Sequence, residues 1–465
     1  MYDRLLNQTL SKEDQSNMGI GGNINLSQYV GMSELSSGRS IVWSGLTGFV
    51  GILPSDMAEK IKSGEFANSH EVPAILENEG LFYQDSEDNA LVDVLEKLAK
   101  AGSKPTHYRL VLTGSCDLTC SYCIQAKIRK TMDSRLSPKA ISDLVRYVEY
   151  NSPSGAIEVL LMGGEPLFDV EVAVSTIKDL CKEFSKNDKN IPHFKILTNG
   201  VNLSEFIEKI GSYSEKISDI QVSIDQNRET HDSVKKDRSG NPTFDRAIGG
   251  AKCSVAVGIQ TTLRMNIHKP DLQEEFLKTC DELYDEIDSE RLAIYPALVL
   301  QRPLAKNPLK KNPVSMSTSF SRLIVKFFLW HYKKTGQIHP AHIPPPTWIN
   351  CLPKLGPPSM LGSRGEVYSC TYSKPTSPNI DAQLQKSTEG FPLNREKCEE
   401  LALEVWNDTC RKCSFIAFCT GACTVKIAGG QTFTSDCESW PERFRTYGEI
   451  LESESAKAYQ PDTIQ

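Results

Sequence analysis

Cys116-Asp117-Leu118-Thr119-Cys120-Ser121-Tyr122-Cys123 places three thiols within eight residues, at the spacing Cys-x3-Cys-x2-Cys. Three thiolates converging from one short loop can hold three irons of a cubane [4Fe-4S] cluster, whereas a cluster that only carries electrons usually takes four protein ligands. The fourth iron is then open to a small molecule. A zinc knuckle or a redox thiol set is the alternative, but zinc sites favour four ligands arranged as two pairs.

Outward from this loop, strand and helix signals alternate. Strands are predicted at Tyr108 to Leu112, Ile157 to Leu161, Phe194 to Leu197, Ile220 to Ile224, Ile259 to Ile267 and Leu292 to Leu300, with a helix from Pro138 to Tyr150 and further helical stretches between. Six such βα units predict parallel strands joined by helical crossovers, a partial (β/α)6 TIM-like barrel of α/β class whose ligands sit at the C-terminal strand ends. Those ends are small and polar. Strand two runs into Met162-Gly163-Gly164-Glu165-Pro166, strand three into Thr198-Asn199-Gly200, strand four into Ser223-Ile224-Asp225, and strand five carries Leu263-Arg264-Met265-Asn266. A glycine pair lets backbone approach a ligand closely, and carbonyl or carboxylate oxygens accept from an ammonium group. Read alone, the same residues cap turns. His231, a single histidine after a strand, reads as structural rather than as a base.

After a basic, proline-bearing loop around Lys306 to Pro313, a helix from about Met316 to Lys334 ends the barrel. Metal-ligand spacing then returns: Cys351, Gly365-x4-Cys370, Cys410-x2-Cys413-x5-Cys419-x3-Cys423 and Cys437. Of the fourteen cysteines, all but three bunch into 116–123 and 351–437 instead of spreading as a disulfide framework would, which suggests metal in a reducing compartment. Cys181, Cys253 and Cys280 stand alone and read as small buried hydrophobes.

From about residue 107 to 440 these motif groups resemble the radical S-adenosylmethionine (radical SAM) enzymes that carry a C-terminal SPASM domain, of the ribosomal-peptide maturase type. The resemblance implies a cluster on Cys116, Cys120 and Cys123 whose open iron is chelated by the methionine amine and carboxylate of SAM. It further implies SAM contacts from Tyr122 near the adenine, from Gly163, Gly164, Glu165 and Pro166, and from Asn199, Ser223 and Asp225, with Arg264 as a charge-assisted donor to the SAM carboxylate. By the same analogy the SPASM domain holds two auxiliary [4Fe-4S] clusters, three in all. Cys410, Cys413, Cys419 and Cys437 would ligate the outer one, and Cys351, Cys370 and Cys423 the inner one, completed by Cys398 or left open to a substrate thiolate. Two zinc ions on the same cysteines are the alternative. Anaerobic sulfatase maturases have an aspartate after the cysteine that corresponds to Cys370; here Thr371 stands there, and no general base is evident.

Residues 1–38 are polar, without a sustained period, and predict a flexible leader. Strands at Ser40 to Ser44 and Phe49 to Leu53, a helix start at Pro54, a helix from Met57 to Ile61, another from Glu71 to Glu79 and a strand at Leu81 to Tyr83 make a small α+β module of about 60 residues. Its order of elements looks like the winged-helix leader-recognition domain of peptide-modifying radical SAM enzymes, which adds a precursor peptide to its sheet edge. A structural cap is the alternative. With a helical linker from Val92 to Ala101, the predicted organisation is a leader at 1–38, a winged-helix-like module and linker helix at 39–101, a barrel at 102–335, a SPASM domain at 336–445 and a tail at 446–465.

The chain has 465 residues, 39% hydrophobic and 24% charged, with a formal net charge of -7. That balance argues against a nucleic acid partner, and no apolar run approaches a membrane span or follows a basic N-terminal flank. A cytoplasmic enzyme is predicted. The resemblance implies reductive cleavage of SAM to a 5'-deoxyadenosyl radical, hydrogen abstraction, and oxidative cross-linking (carbon-carbon, ether or thioether) of a precursor peptide with a leader. An electron donor such as flavodoxin or ferredoxin would feed the clusters. A sulfatase-maturase-like enzyme and a non-catalytic zinc scaffold or regulator are the alternatives.

Overall fold

The computed structural model describes residues 24–68, 79–84, 90–102, 107–123, 138–152, 156–186, 191–299, 313–344, 346, 359–369, 382–383, 396, 399–400, 409–419 and 437–458. The strands are β1 (Ile24–Leu26), β2 (Val30–Glu34), β3 (Ser40–Ser44), β4 (Val50–Leu53), β5 (Phe82–Gln84), β6 (His107–Thr113), β7 (Glu158–Gly163), β8 (His193–Thr198), β9 (Ile217–Asp225), β10 (Gln260–Ile267), β11 (Leu292–Leu298), β12 (Met360–Leu361) and β13 (Val367–Tyr368). The helices are α1 (Ser55–Ser63), α2 (Ala90–Gly102), α3 (Pro138–Asn151), α4 (Val170–Lys186), α5 (Leu203–Ile210), α6 (Arg228–Val234), α7 (Phe244–Ala256), α8 (Gln273–Ile287), α9 (Pro313–Thr335) and α10 (Trp440–Ala458). Two compact units share them: one comprises Met1–Leu98, Ser317–Cys351 and Leu393–Gln465, the other Ala99–Met316 and Leu352–Pro392.

The second unit is built on an eight-stranded sheet in the order β11-β10-β9-β8-β7-β6-β12-β13. From β6 to β11 every pairing is parallel and every neighbour is the next strand in sequence. This is the predicted α/β partial barrel, since helical crossovers of one hand carry each strand to the side of the last. The strands alternate rather than running uniformly apolar. In β9, Ile220, Val222 and Ile224 are fully buried while Asp219, Gln221 and Ser223 remain half-buried, so the opposite face of the sheet keeps polar groups accessible to a ligand. Beyond the six predicted strands, β12 pairs in parallel with β6 and β13 pairs antiparallel with β12. Two-residue strands carry no readable period.

In the first unit β2, β3 and β4 form an antiparallel sheet and β1 pairs with β5. Strand β3 is buried on both faces. Ile41 and Trp43 pack with Leu35, Phe418, Trp440, Phe444 and Tyr447, whereas Val42 packs with Leu53, Ile61, Phe66, Leu81 and Phe82. Two expectations are corrected here. Residues 24–26 and 30–34, placed by composition in the flexible leader, are strands, because pairing with β5 and β3 satisfies a backbone that polar side chains alone would leave solvated. The tail from 446 is instead the continuation of α10, whose Phe444, Tyr447 and Ile450 recur on one buried face. The helix predicted at Glu71 to Glu79 lies outside the described residues but for its last. No helix among the described residues is long and apolar enough to cross a membrane.

Candidate active site

The loop after β6 is fixed from three directions. Gly164 N–H donates to the Thr113 carbonyl at 2.8 Å and Glu165 N–H to the Ser115 carbonyl at 2.8 Å, which ties the end of β7 to the start of the loop. This contact explains the glycine pair. A Cβ on Gly164 would lie 2.3 Å from both the Gly114 and Ser115 carbonyl oxygens, and Gly163 holds φ +150° with a Cβ position 2.2 Å from the Thr113 oxygen. From a second side, the turn after α6 pairs with the loop: Leu118 bridges Asp237, Thr119 N–H donates to the Lys236 carbonyl at 3.0 Å, and Arg238 donates twice to the Cys116 carbonyl, at 2.8 and 3.2 Å. From a third, the Tyr122 hydroxyl donates to Asp225 at 2.7 and 3.0 Å and accepts from Asn266 at 3.2 Å.

Within the loop, Leu118 N–H donates to Cys116 Sγ at 3.4 Å, and Cys123 N–H donates to the Cys120 carbonyl at 3.3 Å. Cys116 is buried, Cys120 and Cys123 partly so. Among the described residues no three Cys, His, Asp or Glu side chains gather as tightly as one metal ion demands. A cubane binds each thiolate at a different iron, so its ligands stand further apart. Three thiols on one short loop, with the Leu118 N–H aimed at Cys116 Sγ and the Arg238 guanidinium on the Cys116 carbonyl, fit such a cluster.

Glu165 is buried, and its carboxylate accepts from Thr198 Oγ1 at 2.6 Å, Asn199 N at 2.7 Å and Leu167 N at 3.0 Å. Burial pushes its pKa up to about 7 against the pull of those donors. It therefore joins the end of β8 to the segment that follows β7. Asn199 is turned to the loop: its amide donates to Asp117 Oδ1 at 2.7 Å and its carbonyl oxygen accepts from Val201 N at 2.9 Å. Asn202 also donates to Asp117, at 3.3 Å.

Asp225 is completely buried at the end of β9. Besides Tyr122 it faces the buried Lys235 ammonium at 3.9 Å and His268 Nε2 at 3.3 Å, the latter at an angle that makes no hydrogen bond. Lys235 also donates to the Ser223 carbonyl. Burial alone would raise this carboxyl, but the charges of Lys235 and His268 and the Tyr122 hydrogen bond outweigh it and hold it at about 2. The Tyr122 phenol is pushed far up by burial and by the Asp225 charge. Ser223 and Arg264 are neighbours in register, half-buried, with Arg264 donating to Asn266. His231 is structural: its Nδ1 accepts from Asp225 N at 3.2 Å, so the proton sits on Nε2, which faces Thr243 Oγ1 at 3.2 Å.

Cys116, Cys120, Tyr122, Cys123, Gly163 to Pro166, Asn199, Ser223 and Asp225 are thus all at or just beyond the C-terminal ends of the parallel strands, and Arg264 lies within β10 beside Ser223. Lys235, Arg238, Asn266, His268 and Asp117 escaped the sequence reading; a buried lysine in a polar turn has no periodic signature. In the other unit, Cys410, Cys413 and Cys419 lie on two successive turns, with Cys413 N–H donating to the Cys410 carbonyl at 3.1 Å and Cys419 N–H to the Phe415 carbonyl at 2.9 Å. Burial raises the Cys413 thiol, a hydrogen bond with the Phe415 backbone pulls it down, and the charge of Cys437 adds to the rise. Cys351, Cys370, Cys398 and Cys423 lie outside the described residues.

Residues 110–283 match the family model of the Radical SAM superfamily, and the barrel of this chain is a radical SAM domain. The family implies a [4Fe-4S] cluster and SAM. GTP 3',8-cyclase of Paenarthrobacter nicotinovorans is 28% identical over 159 residues, 34% of this chain and 41% of that protein. The probable GTP 3',8-cyclase of Methanocaldococcus jannaschii is 26% identical over 169 residues, 36% of this chain and 51% of its own. The chain spans about half or less of the length of these curated relatives. Among solved structures, native anSMEcpe with bound AdoMet and Cp18Cys peptide superposes with a TM-score of 0.57 at 18% identity, over 76% of this chain and 100% of that one. Native anSMEcpe with bound AdoMet gives 0.55 at 17%, over 76% and 100%. At such identity the likeness is one of fold.

Proposed function

We propose that this protein is a radical SAM maturase that cleaves SAM reductively and oxidatively cross-links side chains of a ribosomally made precursor peptide. The observation that carries the reading is that the loop of Cys116, Cys120 and Cys123 is tied to the Gly163–Glu165 segment through the Thr113 and Ser115 carbonyls and to Asp225 through Tyr122, next to the Ser223–Arg264 pair. When bound, the cluster and SAM supply one-electron cleavage and a carbon radical that abstracts hydrogen from an unactivated position. The chain's own residues orient and enclose. Gly163 and Gly164 bring the end of β7 against the loop, Arg264 offers a guanidinium to a carboxylate, Ser223 offers a hydroxyl, and Tyr122 is held by Asp225 where the loop meets β9 and β10.

A SPASM assignment for Cys410, Cys413, Cys419 and Cys437 is supported by the first three lying within the ten residues 410–419 and by the charge of Cys437 acting on the Cys413 thiol, and auxiliary clusters there would accept the electron that makes the net change an oxidation. Peptide entry by strand addition is supported by the β2-β3-β4 sheet, which ends at β4 with no further strand paired among the described residues. A small electron-transfer protein would feed the reaction. The second reading, a protein-directed maturase resembling sulfatase maturases, draws on the likeness to peptide-bound anSMEcpe and is weakened by Thr371.

Anaerobic reconstitution followed by iron, sulfide and zinc analysis, then chromatography for 5'-deoxyadenosine, tests the core of this. Wild type is expected to bind iron and sulfide and release deoxyadenosine, with C116A, C120A and C123A releasing none. Zinc without sulfide would establish the scaffold reading instead, and unchanged product from the three variants would reject the cluster site.

A further inference from the structure

We propose that Arg238 is a positioning residue that raises the reduction potential of the cluster held by Cys116, Cys120 and Cys123, an inference that rests on the cluster reading above. The Lys235–Thr243 turn closes on itself, with Lys236 bridging Pro242 and the Asp237 carboxylate accepting from Ser239 N at 2.9 Å and Asn241 N at 2.8 Å. So braced, it lays Lys236 and Asp237 along Thr119 and Leu118 as a short strand pairing. Arg238 follows immediately. Its Nη2 and Nε donate to the Cys116 carbonyl at 2.8 and 3.2 Å, and the guanidinium rests over the Phe168 ring with 5.3 Å to the centroid. Two hydrogen bonds and a ring hold an exposed arginine in one place, where an unrestrained surface cation would be averaged and screened.

That place matters because reduction adds negative charge to the cluster. Potential depends on net charge and hydrogen bonding around the sulfurs, so a cation on the backbone of the first cysteine favours the reduced state. The loop's own Asp117, whose Oδ1 lies 3.8 Å from Cys116 Sγ, acts in the opposite direction, and its carboxylate accepts from the neutral amides of Asn199 and Asn202. Arg238, on the Cys116 carbonyl, supplies positive charge on the same residue. The fork also pins the Cys116 carbonyl, so charge and geometry are separable by substitution.

Potentiometric titration of the reduced cluster's paramagnetic signal tests this on the full, anaerobically reconstituted chain. In R238Q the reduced-to-oxidised ratio at a fixed potential is expected to fall about tenfold, equivalent to ~59 mV for a one-electron couple, with iron and sulfide content unchanged. R238K keeps the charge and is expected to stay within about threefold of wild type. F168L, which removes the ring under the guanidinium while keeping its charge, is expected to fall between the two and supplies the measurement if R238Q fails to reconstitute. A wild-type midpoint in R238Q, or in F168L where R238Q yields no cluster, overturns the proposal. Absence of any reducible cluster in wild type would reject the cluster reading itself, a different result.

Discussion

At the scale of single residues, the buried Asp225–Lys235 pair decides how the site is held. An ammonium and a carboxylate taken out of water repay their desolvation only while both are present. Replacing Lys235 by Met leaves Asp225 with an uncompensated charge and should cost about 3–5 kcal/mol in chemical denaturation. The pH dependence follows from the same group. A folded-state value of about 2, below the ordinary carboxylate range, means the pair contributes roughly 2 kcal/mol above about pH 4, lost as pH falls towards 2. His231 adds to the acid side, because burial lowers it to about 4 while the unfolded chain takes up its proton near 6.5. The His231 contribution should therefore fall by up to about 3 kcal/mol between pH 6.5 and 4, opposed in the same window by Glu165, whose raised value of about 7 favours the fold as pH drops; denaturant midpoints of His231→Gln should accordingly lose less, or gain, on acidification relative to wild type. Asp225 was legible as a polar strand end, but its carboxylate is spent on Tyr122 and Lys235, partners a one-dimensional pattern does not pair.

Among the elements, the loop carrying Cys116, Cys120 and Cys123 has little regular structure of its own and takes its shape from β7, the turn after α6, and β9. The glycine pair was read as room for a ligand, and the fold adds a more immediate demand, backbone packed against backbone at Gly114 and Ser115. A methyl group there has no flexible neighbour to displace. Gly164→Ala should push the loop outward, lowering iron and sulfide bound per chain by at least half while far-UV circular dichroism of the barrel stays unchanged. The six parallel strands were legible because each alternates around buried Ile, Val and Leu positions, whereas β12 and β13 were not, since pairing with β6 rather than local pattern creates them.

For the molecule as a whole, the first unit gathers the N-terminal sheet, α10 and the Cys410–Cys419 turn around one aromatic cluster. Phe444 stands 4.4 Å from Trp43 and 5.1 Å from Phe418 between ring centroids. Removing it empties the shared core, so Phe444→Ala should cost about 3–5 kcal/mol. Limited proteolysis should then cut faster both in 24–53 and in 409–419. Stretches that far apart in sequence gave no sign of sharing a core, and the predicted boundaries at 39–101, 336–445 and 446–465 treat them separately.

From the order of residues alone came the cysteine spacing, the alternation of strand and helix, and the small or polar residues at strand ends, because thiol spacing, periodicity and turn chemistry are local properties. The pairing of Lys235 with Asp225, the Arg238 clamp on Cys116 and the joining of chain beginning and chain end around Trp43 and Phe444 were settled only in three dimensions. Those contacts link residues whose attraction depends on burial and angle, and neither is written in any short window of the chain.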